Sequence, residues 1–176
     1  MPNEQQSHEE LITELRDRIA ELERENRRYR AIELELATSE MRLQSILDAT
    51  TAVIYVKDVE GRYFMINRHY ERLFGITREQ IVGQTDYEIF PPDVADAFRA
   101  NDQKVLEAEK AMEFEEIAPH DDGPHTYISI KFPLRDSAGT LYAVCGISTD
   151  ITERKETERQ LRKALAALEE RKRHRQ

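Results

Sequence analysis

Between Leu141 and Lys155 the hydrophobic period changes from that of a strand to that of a helix within two or three residues. Leu141, Ala143, Cys145 and Ile147 alternate with Tyr142, Val144, Gly146 and Ser148. Nearly every position is apolar, which predicts an interior strand covered on much of both faces and ending at Asp150. Asp150-Ile151-Thr152-Glu153 then has the form of a capping box, so a helix is expected to start there. Ile151, Leu161, Leu165 and Leu168 follow at helical spacing and form a face that seeks a partner, with Glu158 and Lys172 keeping that seam marginal.

A heptad repeat organises the amino-terminal arm. Leu15, Leu22, Tyr29, Leu36 and Leu43 fall in one core column, and Ile12, Ile19, Asn26, Glu33, Glu40 and Leu47 in the other. Ile beside Leu predicts two parallel strands, and Asn26 is the kind of polar core residue that fixes register at some cost in stability. Glu33 and Glu40 loosen the seam before the next segment. The predicted assembly is a homodimer with a seam of Ile12, Leu15, Ile19, Leu22, Asn26 and Tyr29, continued by Leu161, Leu165 and Leu168.

From Thr51 the period shortens. Residues 52–56 read as a strand, 58–61 as a turn and 62–66 as its antiparallel partner. Asn67 suits the N-cap of a short helix closed by Gly75. Brief helical turns follow to Phe90, where Pro91-Pro92 is read as a stop, and residues 93–110 form the longest helix of this region. Three strands come last: 111–117, then 125–134 after a turn through His120 to Pro124, then the strand from Leu141. Two strands, several helices and three strands predict an α+β domain, a five-stranded antiparallel sheet with its helices on one face. The expected division is a coiled-coil helix at 1–40, a sheet domain at 41–150 and an exit helix at 151–176.

Composition sharpens this picture. Residues 1–50 carry 12 acidic and 7 basic side chains and no Gly, whereas the middle of the chain holds all 6 Gly and 5 of the 6 Pro, which places the turns there. A net charge of −9 argues against nucleic acid as a partner, and the basic run Arg171 to Arg175 reads as a solvated helix end. One cysteine excludes an internal disulfide framework. No apolar run approaches a membrane span, so the expectation is a soluble, cytoplasmic protein without membrane insertion.

The motifs KDVEGRYFMIN (57–67), ERLFG (71–75), GQTDYEIFP (83–91), KFPLRDSAGTLYAVCGIS (131–148) and the closing Asp150-Ile151-Thr152 resemble those of PAS domains of bacterial sensor kinases and cyclic-dinucleotide enzymes. The resemblance covers about residues 41–155. It implies a sheet of order 2-1-5-4-3 cupping a small cavity, flanking helices that pair in a homodimer, and a signal-transfer junction at Asp150, Ile151 and Thr152. The implied role is a sensor or relay that passes a conformational signal to an output domain or partner kinase, as in two-component signalling. The alternative is a ligand-free dimerisation and docking scaffold.

Candidate chemistry is sparse. Cys145 sits mid-strand among apolar neighbours and reads as an unreactive core thiol. Light-sensing relatives carry a cysteine in the region matching Gly83 to Pro91, which has none here, and haem-binding relatives a histidine on the long helix, which has none either. Flavin adduct and haem are therefore disfavoured. The turn HDDGPH could attract a metal, but turn chemistry explains each of its residues, and no metal is assigned. No nucleotide loop, nucleophile turn or zinc-protease motif occurs, so no catalytic residue is assigned. If a small molecule is bound, the expected lining is Ile54, Val56, Phe64, Ile66, Ile128, Ile130 and Val144, with Asn67, Tyr127 and Ser129 to orient it; either side-chain parity remains open for some of these strand positions.

Overall fold

A computed structural model gives the fold and describes Pro2 to Arg173, with side chains described for residues 13–168 and for Glu170. The side chains of Ile12 and Lys172 lie outside the described residues. The chain divides into two units, residues 1–46 and 47–176.

The described residues of the first unit are helical throughout. Helix α1 runs Pro2–Ala49 without interruption, in a stretch with no Gly and with Pro only at its first position. Leu15, Ile19, Leu22 and Tyr29 are all exposed on this single chain, as is Asn26.

The second unit is built on a five-stranded antiparallel sheet of order β2-β1-β5-β4-β3. The strands are β1 (Val53–Asp58), β2 (Tyr63–Ile66), β3 (Met112–His120), β4 (Gly123–Arg135) and β5 (Leu141–Asp150). Because β5 is the middle strand, Ala143, Val144 and Cys145 are buried in succession, which explains its apolar character on both parities. Between β2 and β3 lie α2 (Arg68–Phe74), α3 (Arg78–Ile81), α4 (Asp86–Ile89) and α5 (Pro92–Ala108). One sheet face, with Val53, Tyr55, Tyr63, Ile66, Ala118 and Tyr127, packs against Tyr70, Ile81 and Phe90 from these helices. The other carries Ile54, Val56, Ala143 and Cys145, and there Leu47 from the last turn of α1 also packs. The helices are thus not confined to one face.

Local chemistry sets the joints. Asn67 caps α2, its side chain accepting from the Tyr70 amide, and Gly75 ends that helix at φ 63°, a left-handed conformation that favours glycine. Pro92, expected to stop a helix, instead opens α5, since at the first helical position its missing N–H costs nothing. The β3–β4 connection is tighter than expected. His120 pairs with Gly123, so Asp121 and Asp122 alone form the turn and both histidines of HDDGPH belong to strands.

The exit helix α6 (Thr152–Arg173) begins later than the capping-box reading places it. Asp150 stays in β5, paired with Tyr127, and its Oδ1 accepts from the Thr152 N–H at 2.8 Å. The Thr152 hydroxyl in turn accepts from the Thr126 N–H at 2.9 Å, and the Ile151 N–H donates to the Thr126 carbonyl at 2.8 Å. Strand end and helix start are therefore held by two adjacent residues of β4, Asp150 by Tyr127 and both Ile151 and Thr152 by Thr126.

Candidate functional site

Strand alternation brings Tyr55 and Lys57 of β1, Glu116 of β3, and Tyr127, Ser129 and Lys131 of β4 to the sheet face under the helices. Lys57 and Lys131 are 1% and 0% exposed. An ammonium so deep must be paired, because its desolvation is otherwise prohibitive. Lys57 Nζ donates to both Asp86 oxygens at 2.7 and 2.6 Å and to Asp102 at 2.9 Å. Lys131 Nζ reaches Asp102 at 2.8 Å and Glu116 at 2.8 Å. The Tyr63 hydroxyl adds a 2.6 Å bond to Asp86, and the Tyr70 hydroxyl donates to that of Tyr63 at 3.1 Å. Burial pushes the Asp102 carboxyl up, but Lys57 and then Lys131 outweigh it and hold its pKa below the ordinary value. Burial likewise opposes the Lys131 charge, and Asp102 and Glu116 restore it, leaving the pKa raised.

A cavity opens beside this network. Its wall includes Tyr55, Lys57, Tyr63, Tyr70, Phe74, Phe90, Phe98, Glu116, Tyr127, Ser129 and Ser148. It has room for about two waters. The rings of Tyr55, Tyr63 and Tyr70 meet edge to face with centroids 5.7 to 6.3 Å apart. Tyr55 lies over its cross-strand partner Gly146, where a Cβ would come within 2.2 Å of the ring. The hydroxyls of Ser129 and Ser148 bond each other at 2.7 Å. Burial drives the Tyr55 and Tyr63 phenols well above their ordinary pKa, so both stay protonated.

Of the residues expected to line a pocket, Tyr127 and Ser129 do so. Ile66 is in the same core and Val144 is buried opposite Lys57, but neither reaches the cavity. Ile54 and Val56 belong to the opposite face, and so do Ile128 and Ile130, which alternate with Tyr127 and Ser129. Phe64 is exposed and stacks on Tyr142 at 6.4 Å. The cause is parity: a shift of one residue exchanges every side chain between faces, and a strand apolar on both sides hides which set is inward. Asn67 is a structural tie. Its Oδ1 accepts from Ile54 N and Tyr70 N at 3.0 and 3.1 Å, and its Nδ2 donates to the Leu47 and Ala52 carbonyls at 3.1 and 2.9 Å. That leaves nothing for a ligand. Burial raises the Cys145 thiol to a pKa of about 11, matching the inert core reading.

A second polar cluster joins the cavity to the helix junction. The Tyr127 hydroxyl bonds His120 Nε2 at 2.9 Å, and the His120 and His125 rings pack together at 37° with centroids 4.2 Å apart. His125 Nδ1 meets Asp150 at 2.6 Å and its Nε2 meets Asp122 at 3.0 Å. Burial and the neighbouring His125 charge lower the His120 pKa, so Tyr127 donates to a neutral ring. Among the described residues no group of three or more His, Cys, Asp or Glu side chains could hold a metal, and no helix is long and apolar enough to cross a membrane.

A small α+β domain whose sheet cups a cavity against short helices, and whose central strand runs straight into a protruding helix, is a sensor-type module. The description of the PAS fold matches residues 47–156, and the chain belongs to that family. It is 34% identical over 124 residues to the methanogenesis regulatory histidine kinase FilI of Methanothrix harundinacea, covering 69% of this chain and 14% of FilI. It is 28% identical over 123 residues to the aerobic respiration control sensor protein ArcB of Escherichia coli, again 69% of this chain and 16% of ArcB. The chain thus spans a small part of these relatives. Among solved structures, the PAS domain of Bordetella pertussis BvgS superposes with a TM-score of 0.56 at 25% identity, covering 74% of this chain and 98% of that domain. Vibrio cholerae VqmA in complex with ligand and DNA superposes with 0.58 at 28% identity, covering 64% of this chain and 51% of VqmA. The shared region is a sensor fold, and no catalytic domain is evident in it.

Proposed function

We propose that the chain is a cytoplasmic, homodimeric sensor or relay module that passes a change at its cavity, through Asp150, into a paired exit helix and on to an output domain or partner kinase. The observation that carries this reading is the unbroken path Tyr127–His120–His125–Asp150, which starts on the cavity wall and ends at the first turn of α6. Any displacement of Tyr127 is felt at the residue that fixes where the helix begins. Leu161, Leu165 and Leu168 are 61%, 52% and 54% exposed on the single chain, which suits a seam covered by a second copy. The heptads of α1 supply the same on the other arm. Two dimer registers separated by a few kcal/mol suffice for a relay. The histidine kinase relatives favour this output, and no nucleic-acid or catalytic role is proposed for this chain.

Native mass spectrometry gives the subunit number and any retained small molecule. Single cysteines placed along 158–168, with Cys145 replaced by Ala, then report helix pairing by disulfide cross-linking. A relay predicts that Asp150→Ala changes the cross-linking pattern while the dimer persists. An unchanged pattern favours the passive scaffold, and a monomer overturns both readings.

A further inference from the structure

Two polar atoms on the cavity wall make no hydrogen bond to another side chain or backbone group among the described residues. Glu116 receives Lys131 at 2.8 Å and Asn101 at 3.0 Å, both on Oε1. No group among the described residues donates to its Oε2, although the residue is only 7% exposed and lines the cavity. The Tyr55 hydroxyl, on a residue also 7% exposed and lining the same space, makes no hydrogen bond among the described residues. Neither atom is sealed from the cavity, so its hydrogen bond comes from whatever occupies that space, and a carboxylate oxygen there calls for a donor. The charge count says which kind. Lys57 and Lys131 face Asp86, Asp102 and Glu116, two ammonium groups against three carboxylates, so one negative charge is uncompensated. Aromatic walls around that point favour a positive guest.

We propose that the cavity holds a small organic cation bearing N–H donors, of the class of a protonated alkylamine or amidine, with Glu116 Oε2 accepting one N–H and the Tyr55 hydroxyl meeting a second. The guest rests on the sensor reading for its consequence, since Glu116 is the cross-strand partner of Tyr127, where the path to α6 begins. The space of about two waters, roughly 60 Å³ of liquid, sets its size at three or four heavy atoms without rearrangement. A neutral molecule of equal shape leaves the third carboxylate uncompensated. An anion adds a fourth negative charge.

The test needs no variant to begin. The full 176-residue chain is titrated at constant ionic strength with acetamidinium, its neutral counterpart acetamide and the anion acetate, followed by calorimetry and by the tyrosine ring resonances. Acetamidinium is expected to bind saturably and shift the Tyr55 resonances, acetamide to bind at least about tenfold more weakly, and acetate not at all. Glu116→Gln should weaken acetamidinium by about tenfold or more, and Tyr55→Phe, the milder change, by a smaller factor. Equal binding of acetamide, an undiminished affinity in both variants, or no saturable shift with acetamidinium, the result for a cavity of water only, overturns the proposal. The first two outcomes leave the relay reading standing. Binding of acetamidinium with no change in α6 cross-linking supports this site and removes the relay.

Discussion

His125 Nδ1 lies 2.6 Å from Asp150 Oδ2 while Nε2 lies 3.0 Å from Asp122 Oδ1, so one imidazole is held between two carboxylates. A neutral imidazole can donate from only one nitrogen, so this geometry selects the imidazolium. The hydrogen bond to Asp150 raises the His125 pKa above its ordinary 6.5, and the Asp150 carboxyl, pushed up by burial but more strongly down by its Thr152 and His125 partners, lies below its ordinary 3.8.

The pH dependence follows. For His125 the folded value exceeds the unfolded one, so its stabilisation is complete below about 6.5 and is lost as pH rises through the folded value. For Asp150 the folded value is the lower, so its contribution is present above about 3.8 and is lost as pH falls through the folded value. The bridge is whole between roughly pH 4 and 6.5. Because both side chains are partly exposed, it is worth about 1 kcal/mol or less, a few degrees at most. Melts from pH 5 to 9 should show wild type losing this increment on the alkaline side while His125→Gln does not. Parallel curves would contradict the bridge.

Asp102 ties Lys57 to Lys131 at the centre of the buried network. Asp102→Asn leaves both ammonium groups short of an anion, and a loss of about 3 to 5 kcal/mol is expected in urea unfolding. Lys57→Met combined with Asp86→Asn removes both ends of one contact, so the pair should cost clearly less than the sum of the single changes, by about 1 kcal/mol or more. Additive costs would mean that the two groups do not interact.

Gly146 is required by contact, not by conformation. Its added Cβ would stand 2.2 Å from Tyr55 Cζ, so Gly146→Ala must push the ring toward the cavity or separate β1 from β5. A loss of about 1 to 3 kcal/mol is expected, largely recovered in the Gly146→Ala, Tyr55→Ala double variant relative to Tyr55→Ala alone. Circular-dichroism melts of the four proteins decide it.

The order of elements, the Asn67 cap, the Gly75 stop and the strand end at Asp150 were legible because each rests on a local period or a residue with one strong backbone preference. The inward face was not. Val53 to Val56 is apolar on both parities, so hydropathy alone cannot say that Tyr55 faces the helices and Ile54 the opposite side. Lys57 and Lys131 ordinarily signal solvent. The usable clue was that Tyr55-Lys57 and Tyr127-Ser129-Lys131 repeat one period-two pattern on two strands while the helices between them offer Asp86 and Asp102. The His120–His125 contact depended on a hairpin that runs three pairs past the strand end expected at 117, Ala118 with His125, Pro119 with Pro124 and His120 with Gly123.

Asn67 offers the sharpest separation of a cap from a tie. As a cap, Asn and Asp are nearly equivalent, because each presents an oxygen to the first-turn amides. Here Oδ1 already serves Tyr70 N and Ile54 N, and the amide nitrogen faces the Leu47 and Ala52 carbonyls at 3.1 and 2.9 Å. In Asn67→Asp a carboxylate oxygen confronts those two carbonyls, in a position of 0% exposure, and the Thr50 hydroxyl 3.3 Å from that nitrogen can serve it only by giving up its bond to the Leu47 carbonyl. The expected cost at neutral pH is therefore about 2 to 4 kcal/mol, more than the roughly 1 kcal/mol of a lost cap. Protonation supplies the missing donor, so the introduced Asp should have a raised folded pKa. Its penalty, unlike that of Asn67→Ala, should then shrink as pH falls from 7 toward about 4. Urea titrations of both variants at several pH values check this, and an Asp variant as stable as wild type at pH 7 would reduce Asn67 to a helix cap.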